Sequence, residues 1–132
     1  LAKVFTDLPL IPDQPINFGV WEFCKICGKC AEHCPSNSIP YDDPTPTPNN
    51  ISNRTGVLKW HINAETCLKW WAQNGTDCSN CIRACPFNKP PGLLHDFVRW
   101  GIRKLPILNR LYLWGDDLMK YGEKNAPEKF WR

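Results

Sequence analysis

Apolar residues recur three and four apart over two stretches late in the chain, and only briefly before them. Leu93, Leu94, Phe97, Val98, Gly101, Ile102 and Leu105 form a stripe at helical spacing. Pro90-Pro91-Gly92 precedes the stripe, and Pro106 breaks it while suiting the first turn of another helix. Leu108, Leu111, Tyr112, Leu118 and Met119 predict that second helix, interrupted at Gly115 and stopped at Gly122. His95 lies beside the first stripe and reads as a solvated or capping histidine rather than a ligand. Phe130 and Trp131 predict a tail packed on something.

Upstream the patterns are shorter. Val4 and Phe5 suit the end of a strand, which Asp7, Pro9, Pro12 and Pro15 stop. A strand needs neighbours, so residues 1–18 read as the last piece of a sheet whose other strands precede them. Pro40, Pro44, Pro46 and Pro48, with Thr45, Thr47, Asn49 and Asn50, predict an irregular, solvated excursion. Val57 to Ile62 alternates weakly and predicts a short strand after the Thr55-Gly56 turn. Asn63-Ala64-Glu65-Thr66 starts a short helix carrying Cys67.

At 132 residues the chain is one small domain or a piece of a larger one, and its start at Leu1 reads as a processed or excised segment. With 42% apolar residues and seven tryptophans it can build a core. The formal charge of +3 is spread along the chain rather than clustered, which argues against a nucleic-acid footprint. No apolar run approaches the roughly 20 residues of a membrane span, and no signal peptide is read in these residues, which leaves open a targeting segment upstream. Sequons at Asn50, Asn53 and Asn74 are short enough to arise by chance.

The cysteines change the picture. All eight fall in two runs, Cys24-x2-Cys27-x2-Cys30-x3-Cys34-Pro35 and Cys67-x10-Cys78-x2-Cys81-x3-Cys85-Pro86. The first has the spacing of two-cluster iron–sulfur proteins, whose fourth cysteine ligates the other cluster. So read, Cys24, Cys27, Cys30 and Cys85 hold one [4Fe–4S] cube, and Cys34, Cys67, Cys78 and Cys81 hold the other. The exchange couples cluster assembly to folding. A disulfide scaffold does not require this spacing and is usually denser in cysteine. Paired zinc sites give no reason for a third ligand two residues on, or for the prolines. Phe18, Val20, Trp21 and Phe23 are placed to shield a cube from water. The ten residues between Cys67 and Cys78 are an insertion that carries Trp70 and Trp71. Packing around the cluster accounts for one of these tryptophans more readily than for both.

The chain resembles the C-terminal part of corrinoid-dependent reductive dehalogenases. The resemblance rests on Phe5-Thr6-Asp7-Leu8-Pro9-Leu10, Phe23-Cys24, Cys30-Ala31, Cys34-Pro35-Ser36, Ile39 and Leu58-x-Trp60. It continues through the tryptophans after Cys67, Cys85-Pro86-Phe87, His95-Asp96, Trp100, Asp116-Asp117 and Tyr121-Gly122-x-Lys124. It implies an α+β, bacterial-ferredoxin-like two-[4Fe–4S] domain with a loop insertion and a C-terminal helical extension. Residues 1–18 would end an upstream corrinoid-binding domain, 19–92 hold the clusters, and 93–132 form the extension.

The function so implied is electron delivery through two [4Fe–4S] clusters to a corrinoid (cobalamin-type) cobalt that replaces halide by hydrogen in an organohalide. Trp71 would wall the substrate pocket, with electrons entering at the Cys24/Cys27/Cys30/Cys85 cluster and leaving from the other. The family's tyrosine–arginine proton-donor pair has no match here, so the catalytic residues stay unknown. The resemblance also implies twin-arginine export to the outer face of the cytoplasmic membrane, and an electron donor or membrane anchor protein as partner. Epoxyqueuosine reductase is a similar corrinoid enzyme, but Ser36 follows Pro35 here where that family tends to Thr-Gly. A free-standing two-cluster ferredoxin would need neither the insert nor the amphipathic tail.

Overall fold

Helices form where apolar residues recur three and four apart and around the cysteines, and turns and extended loop join them. A computed structural model describes residues 3–14 and 16–123. The order is α1 (Val20–Cys27), α2 (Lys29–Glu32), α3 (Ala64–Asn74), α4 (Asn80–Ala84), α5 (Leu93–Lys104), a 3-10 turn (Pro106–Leu108) and α6 (Asn109–Leu118). Pro15, Phe130 and Trp131 lie outside the described residues, so the packed tail expected at the C-terminal end does too. None of the described helices is long and apolar enough to cross a membrane.

Among the described residues no strand forms, and the α+β expectation gives way to helices and loops. Val4 and Phe5 are 86% and 95% exposed, with no neighbouring strand to pair with. Val57 to Ile62 contributes only one antiparallel bridge, Lys59 to Thr45, with N–H···O distances of 3.1 and 3.3 Å. The proline excursion is irregular, as its composition predicts, but it is tied down. Gly56 donates to Pro46 O at 2.8 Å, Trp60 Nε1 donates to Asp42 O at 3.0 Å, and a His61 ring nitrogen meets Thr45 O at 2.8 Å.

Asn63 caps α3, its side chain accepting from Thr66 N–H at 3.0 Å. The expected short helix runs on through the insertion to Asn74, where Gly75 (φ +76°) donates to Trp71 O and ends it. The insert is therefore mostly helix rather than a lengthened loop.

The late stripe forms α5 over the expected residues, but only part of it faces inward. Ile102 is buried and Val98 half-buried, while Leu93, Phe97 and Leu105 are exposed. Tyr112 of α6 lies against Gly101, and α6 packs on both α1 and α5. Gly115 does not interrupt α6, and Gly122 does not stop it. The stop is two residues earlier, where Lys120 takes a left-handed φ of +57°. Lys120 donates to Asp117 O and Tyr121 to Asp116 O, the Schellman pair of bonds. Gly122 instead allows close approach, because a Cβ there would lie 3.1 Å from Ala84 Cα. His95 bonds the loop ahead of its helix, Nδ1 to Pro90 O at 2.9 Å, and packs edge-on against Tyr121. It gives α5 no side-chain cap, so the expected capping role is not seen, and Nε2 is buried rather than solvated.

Gly19 closes the first half onto α5. Its φ is +86°, and a Cβ would stand 2.9 Å from the Ile102 carbonyl oxygen. Gly75 has a similar φ but open space around it. Each alanine substitution incurs about 1–2 kcal/mol of left-handed strain, and only Gly19→Ala adds a backbone clash. Gly19→Ala should therefore lower the thermal unfolding midpoint of the iron-loaded protein clearly more than Gly75→Ala does.

Candidate metal centre

Cys24 and Cys27, three apart on α1, share one side of that helix. Gly28, at φ +62°, turns the chain into α2, which carries Cys30. Cys67 sits in the second turn of α3, Cys81 lies on α4, and Cys85 closes α4. α2 packs against α4, and the small Ala31 and Ala84, each next to a cysteine, are buried. Small residues at these points let the two cysteine-bearing turns approach.

All eight cysteines are free and half-buried, and they fall into two groups. Burial raises the Cys24 thiol to about 11, helped by its neighbours Cys27, Cys85 and Cys30. Burial likewise raises Cys67, whose thiol neighbours are Cys34, Cys81 and Cys78. Cys85 of the second run thus stands among the neighbours of Cys24, and Cys34 of the first among those of Cys67, while Cys30 has both Cys85 and Cys81 near it. Cys27 and Cys30 are also raised, first by burial, although backbone N–H groups and, at Cys27, the Lys29 charge oppose the rise.

Cys34 differs. Burial pushes its thiol up, but the Ser36 hydroxyl and the N–H groups of Ser38, Ser36 and Ile39 outweigh it and hold the thiol below its ordinary value. The Ser36 hydroxyl continues into a chain: Ser36–Ser38 at 2.6 Å and Ser38–Thr66 at 2.6 Å. With Cys34 as thiolate, the Ser36 hydroxyl donates to the sulfur and the Ser38 hydroxyl to Ser36, while the single Thr66 hydroxyl proton is shared between Ser38 and the Asn63 carbonyl oxygen at 3.2 Å. The chain also ties the Cys34 loop to the start of α3, one residue before Cys67.

These groups fit an iron–sulfur cube better than a single ion. Thiolates around one zinc lie about 3.8 Å apart, from Zn–S bonds of about 2.3 Å. Among the described residues no three of His, Cys, Asp or Glu converge tightly enough for one ion. Beside Cys24, Cys27 and Cys30 a cavity of about 540 Å³ opens, walled by Ile39, Tyr41 and Trp60. Cys24, Cys27 and Cys30, whose thiols burial holds back from ionising, need a strongly positive core to gather around as thiolates. Aromatic rings pack nearby: Trp21 and Trp60, which line a pocket with Cys24, meet at 4.9 Å, and Phe87 meets Phe23 at 5.3 Å and Phe18 at 5.7 Å.

Trp70 and Trp71 follow Cys67 by three and four residues, on its side of α3. Trp70 is half-buried and Trp71 is 38% exposed. Sequence patterns missed two features. One is the hydroxyl chain. The other is a buried ion pair from Lys29, between two cysteines, to Asp116 and Asp117 of α6. Asp116-Asp117 stands out in the sequence only as part of a resemblance, and nothing local links it to a lysine 87 residues earlier.

Residues 23–88 match the family described as the 4Fe-4S double cluster binding domain. Tetrachloroethene reductive dehalogenase of Sulfurospirillum multivorans is 42% identical over 131 residues, 99% of this chain and 26% of that protein. Epoxyqueuosine reductase of Cyclobacterium marinum is 32% identical over 90 residues, 67% of this chain and 27% of that protein. A solved reductive dehalogenase, described as suggesting a mechanism for B12-dependent dehalogenation, superposes with a TM-score of 0.78 at 28% identity. That superposition covers 89% of this chain and 16% of the other. The chain therefore spans about a quarter of the length of the curated relatives it matches.

Ser38 is buried and has hydroxyl partners on both sides. Ser38→Ala should cost roughly 1–3 kcal/mol by stranding them, whereas Thr66→Ser, which keeps its hydroxyl, should cost less. Denaturant unfolding of both variants checks the order.

Proposed function

We propose, for a chain that belongs to the 4Fe–4S double cluster binding family, that it is the electron-delivery module of a corrinoid-dependent reductive dehalogenase. The observation that supports this is the grouping of the thiols, with Cys34 and Cys85 exchanged between the runs. Cys24, Cys27, Cys30 and Cys85 hold the first cluster, and Cys34, Cys67, Cys78 and Cys81 the second. The packing of α2 on α4 supports the finer reading of the frame as bacterial-ferredoxin-like. When bound, the clusters supply one-electron relay toward a corrinoid cobalt, which supplies the halide-removing chemistry.

The residues of this chain hold, orient and shield. The aromatic shell of Trp21, Trp60, Phe23 and Phe87 keeps water from the first thiol group. Ser36 and the Ser38 N–H stabilise the Cys34 thiolate. Residues 1–18 end the upstream corrinoid-binding domain, 19–92 hold the clusters, and 93–132 are the C-terminal extension. Trp71 walls a pocket for a small organohalide, which puts the second cluster on the corrinoid side. The epoxyqueuosine alternative draws on a match over two thirds of the chain, while the dehalogenase likeness extends over nearly all of it. Export by a twin-arginine route, and an electron donor or membrane anchor protein at the outer face, complete the proposal. A full-length sequence lacking a twin-arginine signal would overturn the export.

Full-length protein purified without oxygen should hold about eight irons and eight sulfides, with extractable corrinoid. Iron and sulfide without corrinoid would leave a carrier, and zinc with no charge-transfer absorption would remove the cluster reading. Trp71→Phe and Trp71→Ala should keep both clusters and change turnover or organohalide preference. Unchanged kinetics, with Trp70 variants altering them instead, would move the pocket wall to Trp70.

A further inference from the structure

Two lysines from different cysteine runs meet the carboxylates of one helix. Lys29 lies between Cys27 and Cys30, and its side chain is only 5% exposed. Its ammonium pairs with Asp116 and, at 2.6 Å, with Asp117, both on α6. Lys89, four residues after Cys85, brings its ammonium to 3.7 Å from Asp116 Oδ1 and lies 4.4 Å above the Tyr121 ring. Cys27, Cys30 and Cys85 are three of the four thiols in the first group. α6 therefore clamps together the two cysteine turns that converge there, from a distance of 87 residues along the chain.

Such a clamp has an electrical side. A cluster gains one negative charge on reduction, so a nearby cation favours reduction and a nearby anion opposes it. With Lys29 and Lys89 set against Asp116 and Asp117, two positive charges face two negative ones and those influences largely cancel. Removing one partner leaves the other as an uncompensated charge beside the thiols, because buried ions depend on being paired.

We propose that the Lys29–Asp116–Asp117 ion pair positions the cluster of Cys24, Cys27, Cys30 and Cys85 and sets its reduction potential. Lys29 and Asp116 are positioning residues that touch the ligand loops and no substrate. The inference rests on the ligand grouping proposed above and is independent of the halide chemistry.

Redox titration of iron-loaded, full-length protein, followed by electron paramagnetic resonance, gives one midpoint per cluster. Lys29→Gln should move one of the two midpoints negative. Asp116→Asn, and more mildly Asp117→Asn, should move the same one positive. The size expected from one unit charge in a partly solvated interior is roughly a tenfold change in the reduced-to-oxidised ratio at fixed potential. For a one-electron couple that is about 59 mV. Lys29→Arg keeps the charge and should largely restore the original value. The midpoint that moves should be the one Cys85→Ser also perturbs.

Shifts of one sign from both partners, equal movement of both midpoints, or no movement would overturn the inference. Should Lys29→Gln and Asp116→Asn lose iron, Asp117→Asn decides, since that side chain is 60% exposed. An unmoved midpoint there overturns it as well. Opposite shifts in a protein without dehalogenating activity would leave this inference standing and remove the function proposed above. A protein that never holds two clusters would remove both.

Discussion

Burial makes a thiol resist ionisation, and neighbouring thiols add to that resistance. Cys24 shows the effect in full, raised by burial and then by Cys27, Cys85 and Cys30. Negative sulfurs can gather at that density only around a core of positive charge, and the rest of the structure follows from that demand. The short helices α1, α2 and α4 exist to aim cysteines, and Gly28 and the buried alanines exist to let the helices come close. In the proposed ligand assignment, the exchange of Cys34 and Cys85 makes neither half complete without the other and couples cluster loading to folding.

Local chemistry was legible in the sequence, and long-range pairing was not. Cysteine spacing, the Asn63 cap and the proline break before Pro106 each depend on residues a few positions apart, and each appears in the structure. The strands expected at Val4–Phe5 and Val57–Ile62 depended on partners elsewhere, and the described residues supply only the Thr45–Lys59 bridge. The helix stop misplaced at Gly122 has a similar cause. Lys120 accepts the left-handed turn two residues earlier, and Gly122 is needed for contact with Ala84, a residue from another part of the chain. The Lys29 ion pair is the extreme case, since no periodicity joins a cysteine loop to a distant helix.

The apolar stripe of α5 shows where burial within this chain ends. Val98, Gly101 and Ile102 face α1 and α6, while Phe97 and Trp100 stack on one another at 5.8 Å on the exposed side. Val4, Phe5 and Leu10 add more uncovered apolar surface. The buried apolar set among the described residues is small, namely Phe23, Ala31, Ala84 and Ile102. So small a core leaves much of the folding free energy to cluster ligation.

That division of labour explains why charge lies buried beside the cysteines at all. A leucine at position 29 would pack more cheaply than a lysine that needs two carboxylates. A leucine would, however, give α6 nothing directional to grip. The ammonium fixes the orientation of the loop between Cys27 and Cys30, and Lys89 does the same for the turn after Cys85. The helix that receives both, α6, is anchored in turn through Tyr112 against Gly101. The C-terminal helices thus act on the first thiol group by charge and direction, while the aromatic rings act on it by excluding water.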